Sequence, residues 1–307
     1  MKQICMFLFS LSLVFLACDS PSINDSSMLD GDFMYDVSLY EPENYLVSAA
    51  ISEPTPEQLQ MPVVIASHGY SATTFEWDEF HAWTRDQGGM LVSRVLLGGH
   101  GRDYQTFKHS TWQDWLRPIQ NEYERLVELG YQHISFLASS TSCALLLELL
   151  NDGYFQGMDY PEHFLFVDPI IISSDKLLSL IGIVGPMLGY IETEPTDEER
   201  RHWYTFRPQE TLQELQTLLT TVRKDLQSGI NLESHLKVYK SKKDESADPV
   251  SAVLIYKGVK GNIEVEMVDS DLHVFTRLAG RGAVSQRDVT NQMQAFQDIR
   301  RIVLNSQ

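Results

Sequence analysis

Six short strand-like segments, each ending in a loop of small or polar residues, constrain this chain more than any other feature. They are Val63-Val64-Ile65-Ala66, Met90 to Leu96, Ile134 to Leu137, Phe164-Leu165-Phe166-Val167, Leu236-Lys237-Val238-Tyr239 and Ile263 to Val268. Val63 to Ala66, an unbroken apolar run bounded by turn signals, reads as a buried strand, and the others continue the strand pattern. Between them lie segments of helical spacing: Phe75 to Asp86, Thr111 to Leu129, Ser142 to Leu150 and, last, Asp288 to Leu304. Pro118 falls inside the second, where it marks a kink or a break near the helix start. Strands that alternate with helices predict an α/β fold, a mostly parallel sheet covered on both faces. With 307 residues and 43% hydrophobic side chains, the chain can bury such a core.

The alternation breaks between about Ile170 and Asn231. That stretch has an apolar run from Leu177 to Met187, a charged run from Glu192 to Arg201, and helical spacing from Thr211 to Leu226. A helical cap insertion over about residues 170–231 is the expectation. Its apolar residues Leu177 to Val184 either line a pocket or pack on the sheet.

The charge balance narrows the partners. Asp and Glu number 42 against 24 Lys and Arg, a formal net charge of −18. Phosphate binding needs a basic footprint, so a nucleic-acid partner is not expected. The three cysteines, Cys5, Cys18 and Cys143, have neither the spacing of a disulfide framework nor that of a zinc site. Cys143 is expected to be a buried free thiol.

The first 17 residues read as a targeting segment. Lys2 precedes an apolar run from Ile4 to Leu16, which meets Ala17, Cys18 and the polar stretch DSPSINDSS. That run is too short for a spanning helix, which needs about 20 residues, and it has the length of a secretory signal core. Phe15-Leu16-Ala17-Cys18 resembles the bacterial lipobox. The resemblance implies acylation of Cys18, residues 18–31 as a polar tether, and a lipid-anchored place on a membrane of the bacterial cell envelope. A single domain then fills residues 32–307, opening with alternating segments between Asp32 and Ile51 that look like a strand pair.

The segment that carries chemistry is His133 to Leu150, HISFLASSTSCALLLELL, where a buried strand turns at once into a buried helix. Ser140 stands at the tip of that turn, with the helix N-terminus behind it. Ala138-Ser139-Ser140-Thr141-Ser142 resembles the G-x-S-x-G nucleophile elbow of the α/β-hydrolases, with both glycines replaced. Ser139 and Ser142 are alternative nucleophiles at this level. Ser67-His68-Gly69-Tyr70 resembles the oxyanion loop of esterases and lipases, and Gly99-His100-Gly101 the G-H-G loop of the monoacylglycerol-lipase and carboxylesterase group. The resemblance implies the Tyr70 and Thr141 amides as oxyanion donors, and a structural His100.

In this family the chain order is nucleophile, acid, histidine. His273 follows the last apolar run and precedes the last helix, which matches the family's catalytic histidine. The loop after Tyr239 holds Asp244 and Asp248; Asp244 matches the catalytic acid, and Asp248-Pro249 the cap of the next helix. The resemblance therefore implies a serine esterase or lipase acting on small-molecule or lipid-like esters, with no metal or organic cofactor. Two rivals stay open: a non-catalytic binding lipoprotein on a decayed hydrolase scaffold, and a serine peptidase or amidase.

Overall fold

The computed structural model describes residues 53–305, except positions 177, 179, 180, 183, 184, 186 and 187. The signal segment, Cys18, the tether and the strand pair expected between Asp32 and Ile51 lie outside the described residues, as does much of the Leu177 to Val184 run. Among the described residues no helix is long and apolar enough to cross a membrane.

The strands are β1 (Val63–Ser67), β2 (Leu91–Val95), β3 (Ile134–Ser139), β4 (His163–Val167), β5 (Tyr190–Glu192), β6 (Phe206–Pro208), β7 (Ile230–Ser241) and β8 (Val259–Val268). Six of them form one sheet in the order β2-β1-β3-β4-β7-β8, and every pair in it is parallel. The longer helices are α1 (Asp78–Gln87), α2 (Trp112–Leu129), α3 (Thr141–Asn151), α4 (Gln209–Ser228), α5 (Val250–Gly258) and α6 (Gln286–Leu304).

The runs Val63 to Ala66 and Phe164 to Val167 are unbroken because β1 and β4 lie inside the sheet with both faces covered. Side chains alternate along each strand. Val63 and Ile65 of β1, Phe136 and Ala138 of β3, and Phe164 and Phe166 of β4 join one core, under α2, α3, α4 and α5. Val64 and Ala66, Leu137, and Leu165 and Val167 join a second core, under α1 and α6. Each large side chain sealed there contributes roughly 1.5–3 kcal/mol.

Local chemistry sets the helix limits. Thr111 caps α2 and exchanges bonds with Asp114, and Ser285 with Asp288 does the same for α6. Gly130 ends α2 in the left-handed region, at φ 92°. Pro118 sits inside α2 and leaves the Asp114 carbonyl without its intrahelical donor. Gly98 packs on that oxygen: a Cβ there would lie 2.0 Å from it.

The segment between β4 and β7 holds more than helix. The long helix α4 packs into the first core through Leu212, Leu215, Leu218, Leu219 and Val222. Besides it, β5 and β6 form an antiparallel hairpin of their own. The last two sheet strands also run longer than their apolar cores suggest, and His235, expected just ahead of a strand, lies within β7.

Parallel strands place their C-terminal ends on one edge. His68, Gly98 to Gly101, Ser140, Asp168, Asp244 and His273 all follow such ends. That edge is where open α/β sheets build sites.

Candidate active site

Ser140 is the turn between β3 and α3. Its backbone has φ 49° and ψ −114°, a conformation rare for a residue with a side chain. Strain of this kind is held only where the surroundings fix it. Here the Ser140 amide donates to the Val167 carbonyl at 3.0 Å, and the Ser140 carbonyl accepts from the amides of Cys143 and Ile170. Cys143 itself is a buried free thiol.

The two missing glycines of the elbow have a structural answer. Ala138 and Ser142 are fully buried. Ser142 Oγ donates to the His68 carbonyl, so its hydroxyl ties the helix start to the loop after β1. The room at the tip comes instead from Gly69, where a Cβ would lie 2.9 Å from Ser140 Cβ. Gly69→Ala should therefore displace the Ser140 hydroxyl and cut kcat/KM for an ester on the order of 100-fold. Steady-state rates beside wild type check this; an unimpaired variant would remove Gly69 from the account.

Ser140 Oγ donates to His273 Nε2 at 2.9 Å. His273 Nδ1–H donates to Asp244 Oδ2 at 2.8 Å. The neighbouring hydroxyls are engaged elsewhere or turned away. Ser139 Oγ donates to Glu76 and lies 3.3 Å from the Ser67 carbonyl, and Thr141 Oγ1 is buried without a partner. Of the two acids after β7, Asp244 reaches the imidazole. Asp248 accepts from the Val250 amide at 2.8 Å, as a cap of α5.

Asp244 is saturated. Its Oδ1 accepts from the amides of Ser246 and Ala247 at 2.8 and 3.0 Å. Its Oδ2 accepts from His273 and also from Lys240 Nζ. Burial pushes this carboxyl up; the His273 bond and the charges of His273 and Lys240 outweigh it and bring it down to about 2.

Lys240 and Asp168 are the site residues that sequence reasoning missed. Both are 0% exposed. Lys240 Nζ lies 3.5 Å from Asp168 Oδ1 as well as against Asp244. Asp168 accepts from the Ser241 amide at 2.7 Å and from the Phe275 amide at 3.1 Å, so it pins the β7 end and the histidine loop together. Burial pushes Asp168 up, and the Lys240 charge opposes this. Ligand atoms of Asp168, Asp244 and His273 fall within 4.8 Å of one another, a spacing that could hold a cation. The Lys240 ammonium already stands against both carboxylates there. The buried set of two carboxylates and one ammonium carries −1, and becomes neutral when His273 takes a proton.

The amides of Tyr70 and Thr141 flank the same cavity. Neither donates to an acceptor among the described residues. Thr141 opens α3, where first-turn amides have no intrahelical partner. The Gly69 amide, by contrast, is taken by Glu76 Oε1 at 2.9 Å. The Tyr70 ring packs among His100, Phe107 and Trp115, and its hydroxyl bonds Thr211 Oγ1 at 2.7 Å.

His68 supports the loop from behind. Its Nδ1–H donates to the Gly69 carbonyl at 2.8 Å, and its Nε2 accepts from the Leu97 amide at 3.1 Å. Both bonds need the neutral ring. Burial lowers its pKa to about 4, from an unfolded value near 6.5. The folded value is the lower one, so stability is full above about pH 6.5 and falls as the pH drops toward 4. This group accounts for at most about 3 kcal/mol of that loss. Urea midpoints between pH 7.5 and 4.5 should fall, and fall less in His68→Gln. Equal slopes in the two proteins would contradict this.

The site lies in a cavity of about 330 Å³, whose walls include Ser140, His273, Ile170, Leu212 and Leu215. Leu178, from the partly described apolar run, also lines it. No protein-family profile matches the chain. Solved structures do. A metagenome-derived lipolytic enzyme superposes with a TM-score of 0.63 at 16% identity, over 79% of this chain and 94% of that one. A soluble variant of the monoglyceride lipase of Saccharomyces cerevisiae, bound to a substrate analog, gives 0.65 at 10% identity, over 83% and 89%. Mouse alpha/beta hydrolase domain-containing protein 10 gives 0.56 at 13% identity, over 81% and 92%. This chain has the α/β-hydrolase fold. The six-stranded parallel sheet and its flanking helices are the shared frame. Within this α/β-hydrolase frame, Ser140, Asp244 and His273 stand after β3, β7 and β8.

Proposed function

We propose that this chain is a serine hydrolase that cleaves carboxylic esters through an acyl-enzyme on Ser140. The observation that carries the reading is the hydrogen-bonded relay from Ser140 through His273 to Asp244. The likeness to lipolytic enzymes supports the ester class. In this reading His273 Nε2 takes the hydroxyl proton as Ser140 Oγ bonds to the ester carbonyl carbon. Asp244 holds the Nδ1–H tautomer and balances the imidazolium charge. The Tyr70 and Thr141 amides receive the oxyanion. His273 returns the proton to the leaving alcohol as its C–O bond breaks. Water, deprotonated by the same imidazole, then releases the acid and frees Ser140.

A fluorophosphonate probe tests the reading directly. Wild type should be labelled, and Ser140→Ala should not. Hydrolysis of p-nitrophenyl esters should far exceed that of matched anilides; the reverse order would favour an amidase. Absence of labelling in wild type would favour a binding protein on a hydrolase scaffold.

We also propose that Cys18 is the lipid-bearing residue, on the strength of its sequence setting Phe15-Leu16-Ala17-Cys18. The full-length protein would then sit in a membrane of the bacterial envelope. Cys18→Ser is expected to move it from the membrane to the soluble fraction. A variant that stays membrane-bound after a carbonate wash refutes the anchor.

A further inference from the structure

We infer that the esters cleaved here carry a carboxylate, and that Arg207 binds it inside the cleft. The inference rests on the ester-hydrolase reading of Ser140 and names its substrate class. Arg207 belongs to β6, on the hairpin that covers the strand ends. Its side chain lines the cavity that holds Ser140 and His273, and also an adjoining cleft of about 260 Å³ that includes His273. It thus stands where the two halves of the site meet.

What singles out Arg207 among the cations of the cleft is that, among the described residues, it has neither an ion pair nor a hydrogen-bond acceptor. Its Nε is buried without a partner. Its nearest favourable neighbour is the Tyr70 ring, 5.9 Å from the guanidinium carbon. Asp175 acts on it electrostatically, yet is exposed and makes no salt bridge to it. Arg207 is half-buried, and burial lowers its pKa. A cation partly withdrawn from water with no counter-charge against it is costly.

The other charged groups of the cleft are engaged. Arg277 pairs with Glu199 at 2.8 Å and lies over the Trp203 ring at 4.4 Å. Arg281 donates to the carbonyls of Arg277 and His273. The Glu76 carboxylate accepts from the Gly69 amide and the Ser139 hydroxyl. Glu245 and Glu194 line the cleft but are exposed to water. Arg277 Nε is also buried without a partner, but that guanidinium has its carboxylate; Arg207 is left as the cation with neither acceptor nor counter-charge. A planar fork of N–H donors suits the two oxygens of a carboxylate. The rest of the wall, including Ile170, Ile191, Leu212 and Leu215, is apolar. The ligand that fits is a short ester with an apolar stretch and a carboxylate at some remove from the scissile bond.

Two matched pairs of esters test this and locate the anion. Mono-4-nitrophenyl adipate against 4-nitrophenyl hexanoate places it on the acyl half. 4-Acetoxybenzoate against its methyl ester places it on the alcohol half. In at least one pair, kcat/KM should favour the anion on the order of 10- to 100-fold. Arg207→Met should bring that ratio near unity, and Arg207→Lys should keep part of it. A misfolded variant loses both members equally, so the ratio still reads the contact. Wild type with no preference in either pair, or a preference that survives Arg207→Met, overturns the proposal. Calorimetric titration of Ser140→Ala with adipate and with 4-hydroxybenzoate separates it from the ester reading. Binding lost in Ser140→Ala/Arg207→Met supports the anion site even if no ester turns over. Turnover of neutral esters with no anion binding leaves the hydrolase standing and sinks the Arg207 assignment.

Discussion

Ser140→Ala is expected to lower kcat/KM for an activated ester by on the order of 10⁴-fold or more. The size of the effect follows from how the neighbouring hydroxyls are held. Ser140 Oγ meets His273 Nε2 at 2.9 Å. Ser139 Oγ is spent on Glu76, and Ser142 Oγ on the His68 carbonyl. Thr141 Oγ1 is sealed in the interior. None of these can take over the attack without breaking the turn that presents Ser140. In the proposed reading, what survives in Ser140→Ala is the positioning of substrate and the Tyr70 and Thr141 amides as oxyanion donors. Ser139→Ala and Ser142→Ala should still accept a fluorophosphonate. Labelling that persists in Ser140→Ala and vanishes in either neighbour would move the nucleophile.

Lys240→Met is the second large effect expected, and it acts without touching the reacting atoms. Removing the ammonium leaves Asp168 and Asp244 buried with no cation against them. Breaking a buried pair in this way costs roughly 3–5 kcal/mol of stability. Two carboxylates so placed share a proton, and their apparent pKa rises. A proton held on that pair weakens the carboxylate that orients His273, so the acid limb of the kcat/KM profile should move up. Asp168→Asn added to Lys240→Met restores the net charge of −1 and should return the limb toward wild type. The double-mutant cycle separates this coupling from simple loss of fold. An unmoved limb in Lys240→Met would reduce the lysine to a structural tie.

The extent to which sequence foretold this site differs from residue to residue. Ser140 was legible because a buried strand running straight into a buried helix leaves one residue at the turn, although Ser139 and Ser142 stood beside it. Asp244 and His273 were legible from the order of elements and their likeness to a known pattern. The choice between Asp244 and Asp248 turned on which carboxylate meets His273, a contact across 29 residues of chain. Asp168 read only as the end of a strand. Lys240 stands in a charged run with Lys242 and Lys243, a pattern that ordinarily marks a solvated loop. Its burial could not be seen, because β7 lies between β4 and β8 only in the folded sheet. Arg207 gave no signal at all, being a single cation in a charged, irregular insertion.

The sequence by itself determined the layered frame and the edge where chemistry gathers. Those follow from local rules: apolar period, strand length, caps and a sharp strand-to-helix turn. Only the tertiary structure decided which groups meet. It set Ser140 against His273 across 133 residues, and Lys240 against Asp168 across 72. It also put the space that glycines usually supply at the elbow into Gly69, on a different strand end. Contacts of that range depend on strand order and register, which the pattern of any one segment does not encode.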